Sequence, residues 1–134
     1  MYLVDTNVWL EMLLRQEKAE EARIFIQQTH PQPMAITEMS LYSIGIIMTR
    51  LNEDDEFGEF LTDIIELTGV TRIRLEIPDL LRLVAARKQF SLDFDDAYQY
   101  VAAEKYDLRI VSFDADFDRT GRGRMTPSQA LDKS

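Results

Sequence analysis

Three aspartates, Asp5, Asp96 and Asp114, stand where a fold of strands feeding helices would present them together. Asp5 closes the apolar run Tyr2 to Val4, and Asp114 follows the apolar run Leu108 to Ser112 by two residues. Asp96 lies in the first turn of a helix that enters from a loop. In open parallel sheets ligands sit outside the carboxyl ends of the strands, so residues that immediately follow strands are the ones placed for chemistry. Carboxylates gathered at such an edge repel one another unless a cation lies between them, and hard oxygen ligands select magnesium or manganese. Two such ions about 3.5–4 Å apart activate a water and stabilise the leaving oxygen of an in-line phosphodiester displacement, with no need of histidine or cysteine. Asp116 is a further acid within reach of the same edge, or an exposed turn residue. Taken singly, each aspartate also has a plainer role. Asp5 and Asp93 are good helix N-caps, Asp96 suits a helix N-terminus, and Asp114 suits a turn.

Short polar groups accompany the acids. Thr6, Asn7 and Ser112 flank Asp5 and Asp114 and are suited to orienting carboxylates or waters; capping and turn formation account for them as well. Asp93 reads as a cap and Asp95 as a solvated acid. Arg119, Arg122 and Arg124 lie in a glycine-rich stretch near the same edge and are candidates for holding phosphates, with a solvated tail as the alternative. The single histidine, His30, stands beside two prolines and reads as a solvated loop residue, which leaves no basis for a Ser-His-Asp triad. Trp9 and the pair Phe57 and Phe60 read as core or interface aromatics. Met39, Ile46, Ile47 and Met48 read as core, with a partner groove as the alternative.

Composition bounds the rest. A chain of 134 residues with 46% hydrophobic content buries one core and is read as a single domain spanning residues 1–134. Zero cysteines exclude disulfides, thiolate-bound zinc and thiol nucleophiles, and fit a cytoplasmic location. No window approaches the roughly 20 apolar residues that span a bilayer, so a soluble protein with no membrane partner is expected. The net charge of −9 argues against a polyanion bound by surface charge alone. Divalent cations on clustered carboxylates, which then meet the phosphate, weaken that objection.

The elements that must position these residues follow from periodicity. Tyr2 to Val4, Met34 to Ile36, Ile73 to Ile77 and Leu108 to Ser112 read as strands. Helices are expected from Thr6 through Leu13, over Glu17 to Gln28, and from Thr37 or Glu38 to Leu51. Another carries Phe57, Phe60, Leu61, Ile64 and Ile65 on one stripe and ends at Gly69. Further helices run from Pro78 to Lys88 and from Asp93 onward, with a last turn near Pro127. The acidic stretch Glu53 to Glu56 is read as a connector. Alternating short strands and amphipathic helices specify a three-layer α/β/α sandwich with a mostly parallel central sheet.

At its chemical residues the chain resembles the PIN-domain family, and more narrowly the toxin ribonucleases of bacterial and archaeal toxin–antitoxin pairs. The opening MYLVDTNVWLEML is similar to the family's first motif, in which an aspartate after strand one is followed by Thr and Asn. The segment LDFDDAYQYVAAEKYDLRIVSFDADFD is similar to the third and fourth motifs, with Asp96, Ser112, Asp114 and Phe117 on the matching positions. The resemblance implies cleavage of single-stranded RNA by an acidic quartet with Mg2+ or Mn2+, homodimerisation, and inhibition by a small cognate antitoxin.

The second motif departs from that pattern. A glutamate is expected six residues after the Ser or Thr that ends strand two, and Ser43 stands six residues after Thr37. A hydroxyl is a poor substitute for a charged ligand, so Ser43 is left as a polar neighbour of the site. Glu38 or Glu11 is then the candidate to compensate, although Glu38 does not share Ser43's helical face. Two other readings follow: a degenerate PIN domain that binds RNA or protein with little nuclease activity, and a receiver-like domain. The latter would need a phosphoacceptor aspartate in mid-chain and a lysine after a late strand, neither of which is apparent.

Overall fold

The computed structural model describes residues 1–29, 33–66 and 69–132. Its elements run β1 (Tyr2–Val4), α1 (Thr6–Leu13), α2 (Ala19–Thr29), β2 (Met34–Thr37), α3 (Glu38–Arg50) and α4 (Asp54–Glu59). A π-helical stretch (Phe60–Glu66) follows, then β3 (Thr71–Ile73), α5 (Ile77–Phe90), α6 (Phe94–Tyr106), β4 (Arg109–Val111), a 3-10 turn (Ala115–Arg119) and α7 (Pro127–Asp132). His30, Pro31 and Gln32 lie outside the described residues, as do the side chains of Ile64 and Ile65.

The four strands form one sheet in the order β3-β2-β1-β4, and every pairing is parallel. Parallel strands need crossovers, and the helices that make them cover both sheet faces. The period-2 alternation decides which face each residue meets. Tyr2, Val4, Met34, Ile36 and Val111 point into a core with Trp9, Phe25, Ile44 and Phe60, drawn from α1, α2, α3 and the π-helical stretch. Leu3, Ala35, Ile73 and Ile110 point the other way, against Ala102 and Ala103 of α6 and Phe117. A third cluster joins α5 to α6 through Leu83, Ala86, Leu92, Ala97 and Val101. The sheet is thus sandwiched between two helical layers, as expected.

Trp9 and Phe60 lie in the core, with Phe57 packed against it. Trp9 and Phe60 are almost wholly buried with ring centroids 5.4 Å apart, and truncating either to alanine would cost about 3–5 kcal/mol. The Phe57 ring lies so close to Gly45 of α3 that an added Cβ would come within 2.8 Å of it, so glycine here lets the ring pack against the helix backbone.

Three boundaries differ from expectation. Ile73 to Ile77 alternates like a strand, yet β3 stops at Ile73. Glu76 and Asp79 form a reciprocal capping box, with Pro78 in the first turn, and this starts α5 at Ile77. Glu53 to Glu56 is not a connector throughout: Asp54, Asp55 and Glu56 form the first turn of α4, where acids are favoured by the helix dipole. The last strand is shorter than read, Arg109–Val111, with Ser112 just beyond it. Among the described residues no helix is long and apolar enough to cross a membrane.

The strand order has one consequence for function. From β1 the chain moves to β2 on one side, and only later returns to β4 on the other. The crevice between the carboxyl ends of β1 and β4 is therefore the switch point at which such sheets bind ligands. Asp5 follows β1 there, and Asp114 follows β4.

Candidate metal centre

Asp5 is 4% exposed and caps α1, its Oδ1 accepting the Thr6 backbone N–H at 2.8 Å. Its backbone N–H continues the sheet by donating to the Val111 carbonyl at 2.9 Å, which fixes the carboxyl between β1 and β4. Burial pushes its pKa up to about 6, against the lowering effect of hydrogen bonds from Ser112 and Thr6.

Ser112 joins the two strand ends. Its hydroxyl donates to Asp5 Oδ2 at 2.7 Å and accepts from Asn7 Nδ2 at 3.1 Å and from the Asp114 backbone N–H at 2.9 Å. One donation and two acceptances satisfy a hydroxyl completely. Asn7 Oδ1 in turn accepts the Phe113 N–H at 3.2 Å, so the loop after β4 is clamped to the first turn of α1. Asp114 Oδ1 accepts the Asp116 N–H at 2.9 Å and starts the 3-10 turn.

Asp96 arrives from the other helical layer. Asp93 caps α6 by accepting the Asp96 N–H at 2.8 Å, which turns the Asp96 side chain into the crevice. Asp96 is 5% exposed, and burial first, then the neighbouring Asp114 carboxylate, pushes its pKa up to about 9. Its Oδ2 is buried without a hydrogen-bond partner. Oxygens of Asp96, Asp114 and Asp116 all lie within 4.8 Å of one another. A buried, unpartnered carboxylate oxygen facing other carboxylates is stable only with a bound proton or a cation, so this donor set fits a hard divalent metal.

The cleft these residues line has a volume of about 370 Å³, with Asp5, Thr6, Asn7, Ser43, Asp96 and Asp114 around it, the acids Asp93 and Asp95 at its mouth, and an apolar side of Leu10, Ile46 and Ile47. Ser43 therefore occupies a lining position, where a glutamate would bring another carboxylate. Neither Glu38 nor Glu11 lines the cleft. Glu38 lies near Tyr98, whose pKa it helps to raise, and Glu11 accepts the Lys18 backbone N–H at 3.0 Å. Asp116 belongs to the acid cluster but also pairs with Arg119 at 3.0 Å.

Arg122 and Arg124 are held apart from the cleft, whereas Arg119 stays beside the acid cluster through Asp116. Arg119 donates to the Ser91 carbonyl as well as pairing with Asp116. Arg122 pairs with Asp107, and Arg124 with Asp118 and the Ser112 carbonyl. Arg122 and Arg124 line a separate cavity along β4, together with Arg109. Sequence reasoning passed over Ser40 and Gln99, both wholly buried beneath the cleft. Gln99 lies three residues past Asp96, and a polar residue at a position of the buried helical stripe is the one signal that would have found it.

The PIN domain family profile matches residues 2–123. A comparison with curated protein sequences finds no match. Among solved structures, the fold superposes on a toxin–antitoxin complex from Klebsiella pneumoniae with TM-score 0.71 and 21% identity, covering 95% of this chain and 98% of that one. FitAcB from Neisseria gonorrhoeae gives TM-score 0.79 at 17% identity, covering 96% and 99%. VapC20 of Mycobacterium tuberculosis, a toxin that cleaves the sarcin-ricin loop, gives 0.77 at 16%, covering 90% and 95%. At these identities the likeness is one of fold.

Proposed function

The chain belongs to the PIN-domain family, and we propose that it is a metal-dependent endoribonuclease acting on single-stranded RNA as the toxin of a toxin–antitoxin pair. The observation that carries this reading is the partly buried acid cluster at the switch point, above all the buried, unpartnered Asp96 oxygen beside Asp114 and Asp116. Asp5, Asp96 and Asp114 would hold Mg2+ or Mn2+, with Asp116 at the outer side. When bound, the metal supplies charge for the phosphate oxygens and an activated water for in-line attack.

The chain's own residues do the positioning. Ser112 and Thr6 fix the Asp5 carboxyl, and Asn7 and Ser112 fix the backbone that carries Asp114. The cleft is open on one side to a flexible strand, while Leu10, Ile46 and Ile47 offer apolar contact to bases or ribose. Because Asp96 is pushed up to about 9 without metal, loading the site displaces a proton, and metal affinity rises with pH through the neutral range.

The solved toxin–antitoxin complex of the same fold supports an antitoxin as protein partner. A stripe on α5, Ile77, Leu81 and Val84, is 80%, 75% and 49% exposed at helical spacing and supports a homodimer. The charge of −9 suits a basic antitoxin.

The test is cleavage of a panel of single-stranded RNAs by purified protein with Mn2+, beside Asp5→Asn and an EDTA control. Cuts that vanish in both controls support the proposal; no cleavage of any RNA, with Asp5→Asn unchanged in growth inhibition, overturns it. Ser43 in the cleft lining favours one second reading, a PIN domain that binds RNA or protein with little or no cutting. Calorimetry separates the two, since absence of Mn2+ or Mg2+ binding at millimolar concentration supports the second and two-site binding sinks it.

A further inference from the structure

Beneath the cleft, four polar side chains join four elements, α1, β2, α3 and α6. Gln99, one turn past Asp96 on α6, is fully buried, and its Nε2 donates to Ser40 Oγ at 2.6 Å. Ser40 stands in the first turn of α3 and is equally buried. Its hydroxyl also accepts the Thr37 hydroxyl at 3.0 Å and lies 2.7 Å from Thr6 Oγ1. Thr37 Oγ1 accepts the Ser40 backbone N–H at 3.0 Å, so its own proton is free to go to Ser40.

A serine hydroxyl has one proton and two lone pairs. The Gln99 amide and the Thr37 hydroxyl fill both lone pairs, so the Ser40 proton is given to Thr6 Oγ1. The Thr6 proton then points away from Ser40. Thr6 lines the aspartate cleft, directly after Asp5. The direction of a hydroxyl dipole at the cleft surface is thus set by an amide two links away.

Gln99 is not the side chain that packing alone would select. Its Oε1 is buried without a hydrogen-bond partner, a penalty that a methionine of similar volume would avoid. The donor half of the amide is what the site uses.

We propose that Gln99 is a positioning residue which, through Ser40, holds the Thr6 hydroxyl as a hydrogen-bond donor facing the cleft, where it meets a non-bridging oxygen of a bound phosphodiester. The inference rests on the reading of the cleft as an RNA site. A hydroxyl is neutral, so this donor adds an attractive contact for phosphate in a cleft whose other polar groups are mainly carboxylates. Without the Gln99 donor, Ser40 has a free lone pair. The Ser40 proton can then turn off Thr6 toward the place the amide vacates, while Thr37 and Thr6 fill the two Ser40 lone pairs, leaving only Thr6 lone pairs toward the phosphate.

The experiment is a double-mutant cycle of Q99M and T6V, read as the affinity for a fluorescein-labelled single-stranded oligoribonucleotide in Ca2+, with cleavage in Mn2+ measured alongside. Each single variant should weaken RNA binding about fivefold, the loss expected of one hydrogen bond, and the double variant should bind no worse than either. That non-additivity distinguishes action through Thr6 from a general packing defect, which would multiply with T6V. Wild-type affinity in Q99M, or losses that multiply, would overturn the proposal. Wild-type protein that binds RNA with the expected coupling but cuts nothing in Mn2+ removes the nuclease reading and leaves Gln99's role standing. Protein that cuts RNA but shows a flat cycle removes only the Gln99 proposal, and protein that neither binds nor cuts removes both.

Discussion

Replacing Asp96 by asparagine keeps its shape and removes its charge, and it should make the metal-free protein more stable, increasingly so as pH rises. Asp96 is 5% exposed, and burial together with Asp114 pushes its pKa up to about 9. In the unfolded chain the same carboxyl loses its proton near pH 4, as a free aspartate does. Between those values the folded protein retains a proton that the unfolded chain has released. A raised carboxyl pKa therefore removes stability as pH rises, by up to about 1.4 kcal/mol for each unit across that window. Asp5, pushed up to about 6 by burial, adds a penalty of the same sign that is complete by about pH 6 and is common to both proteins. For a domain of this size 1 kcal/mol moves Tm by about 3–5 °C. In EDTA, the Tm of Asp96→Asn minus that of wild type should thus widen by up to about 7 °C per unit between pH 5 and pH 8. Manganese should narrow that difference. At a hundred times its dissociation constant a ligand stabilises the folded state by about 2.7 kcal/mol, on the order of 10 °C here, and the asparagine variant should gain little. Thermal unfolding followed by fluorescence, with EDTA and with Mn2+ across that pH range, gives both quantities. A Tm difference that is flat with pH, or equal stabilisation of both proteins by Mn2+, would refute the reasoning.

Ser112→Ala should cost about 1–3 kcal/mol in urea unfolding, because it removes the donor to buried Asp5 and leaves Asn7 and the Asp114 N–H without their acceptor. A loss below about 0.5 kcal/mol would show that water replaces the hydroxyl. Ser43→Glu, at a cleft-lining position, should tighten Mn2+ binding by roughly tenfold in calorimetry; unchanged affinity would mean that this helix face does not approach the metal. Leu81→Glu, on the exposed α5 stripe, should shift a dimer to monomer in light scattering after gel filtration. Persistence of the dimer would place the interface elsewhere.

The three-layer architecture could be read from the sequence because the signals are local. Alternation in Tyr2 to Val4 and Met34 to Ile36 sends neighbouring side chains to opposite sheet faces, and helical stripes such as Leu41, Ile44 and Met48 bury together. The convergence of Asp5, Asp96 and Asp114 was legible for a related reason, since each directly follows a strand or opens a helix. What could not be read depends on contacts between distant residues. Ser40 and Gln99 are 59 positions apart, and nothing in either segment marks the other. The same holds for two of the arginines, which sequence proximity placed near the active edge. Asp107, Asp118 and backbone carbonyls draw Arg122 and Arg124 aside into a different cavity. The end of β3 was misjudged where two local signals compete, and the capping box of Glu76 and Asp79 prevails over the alternation of Ile73 to Ile77.

The segment beyond the 3-10 turn returns to lie against β4. Met125 donates to the Ile110 carbonyl and accepts the Ser112 N–H, both at 2.9 Å, forming an isolated parallel bridge with Val111. Without it, β4 would present unpaired backbone groups along the open side of the sheet, a template on which a second chain can add a strand. Shielding that side is protection against self-association. A variant truncated before Met125 would retain all the cleft aspartates and still be expected to aggregate during expression.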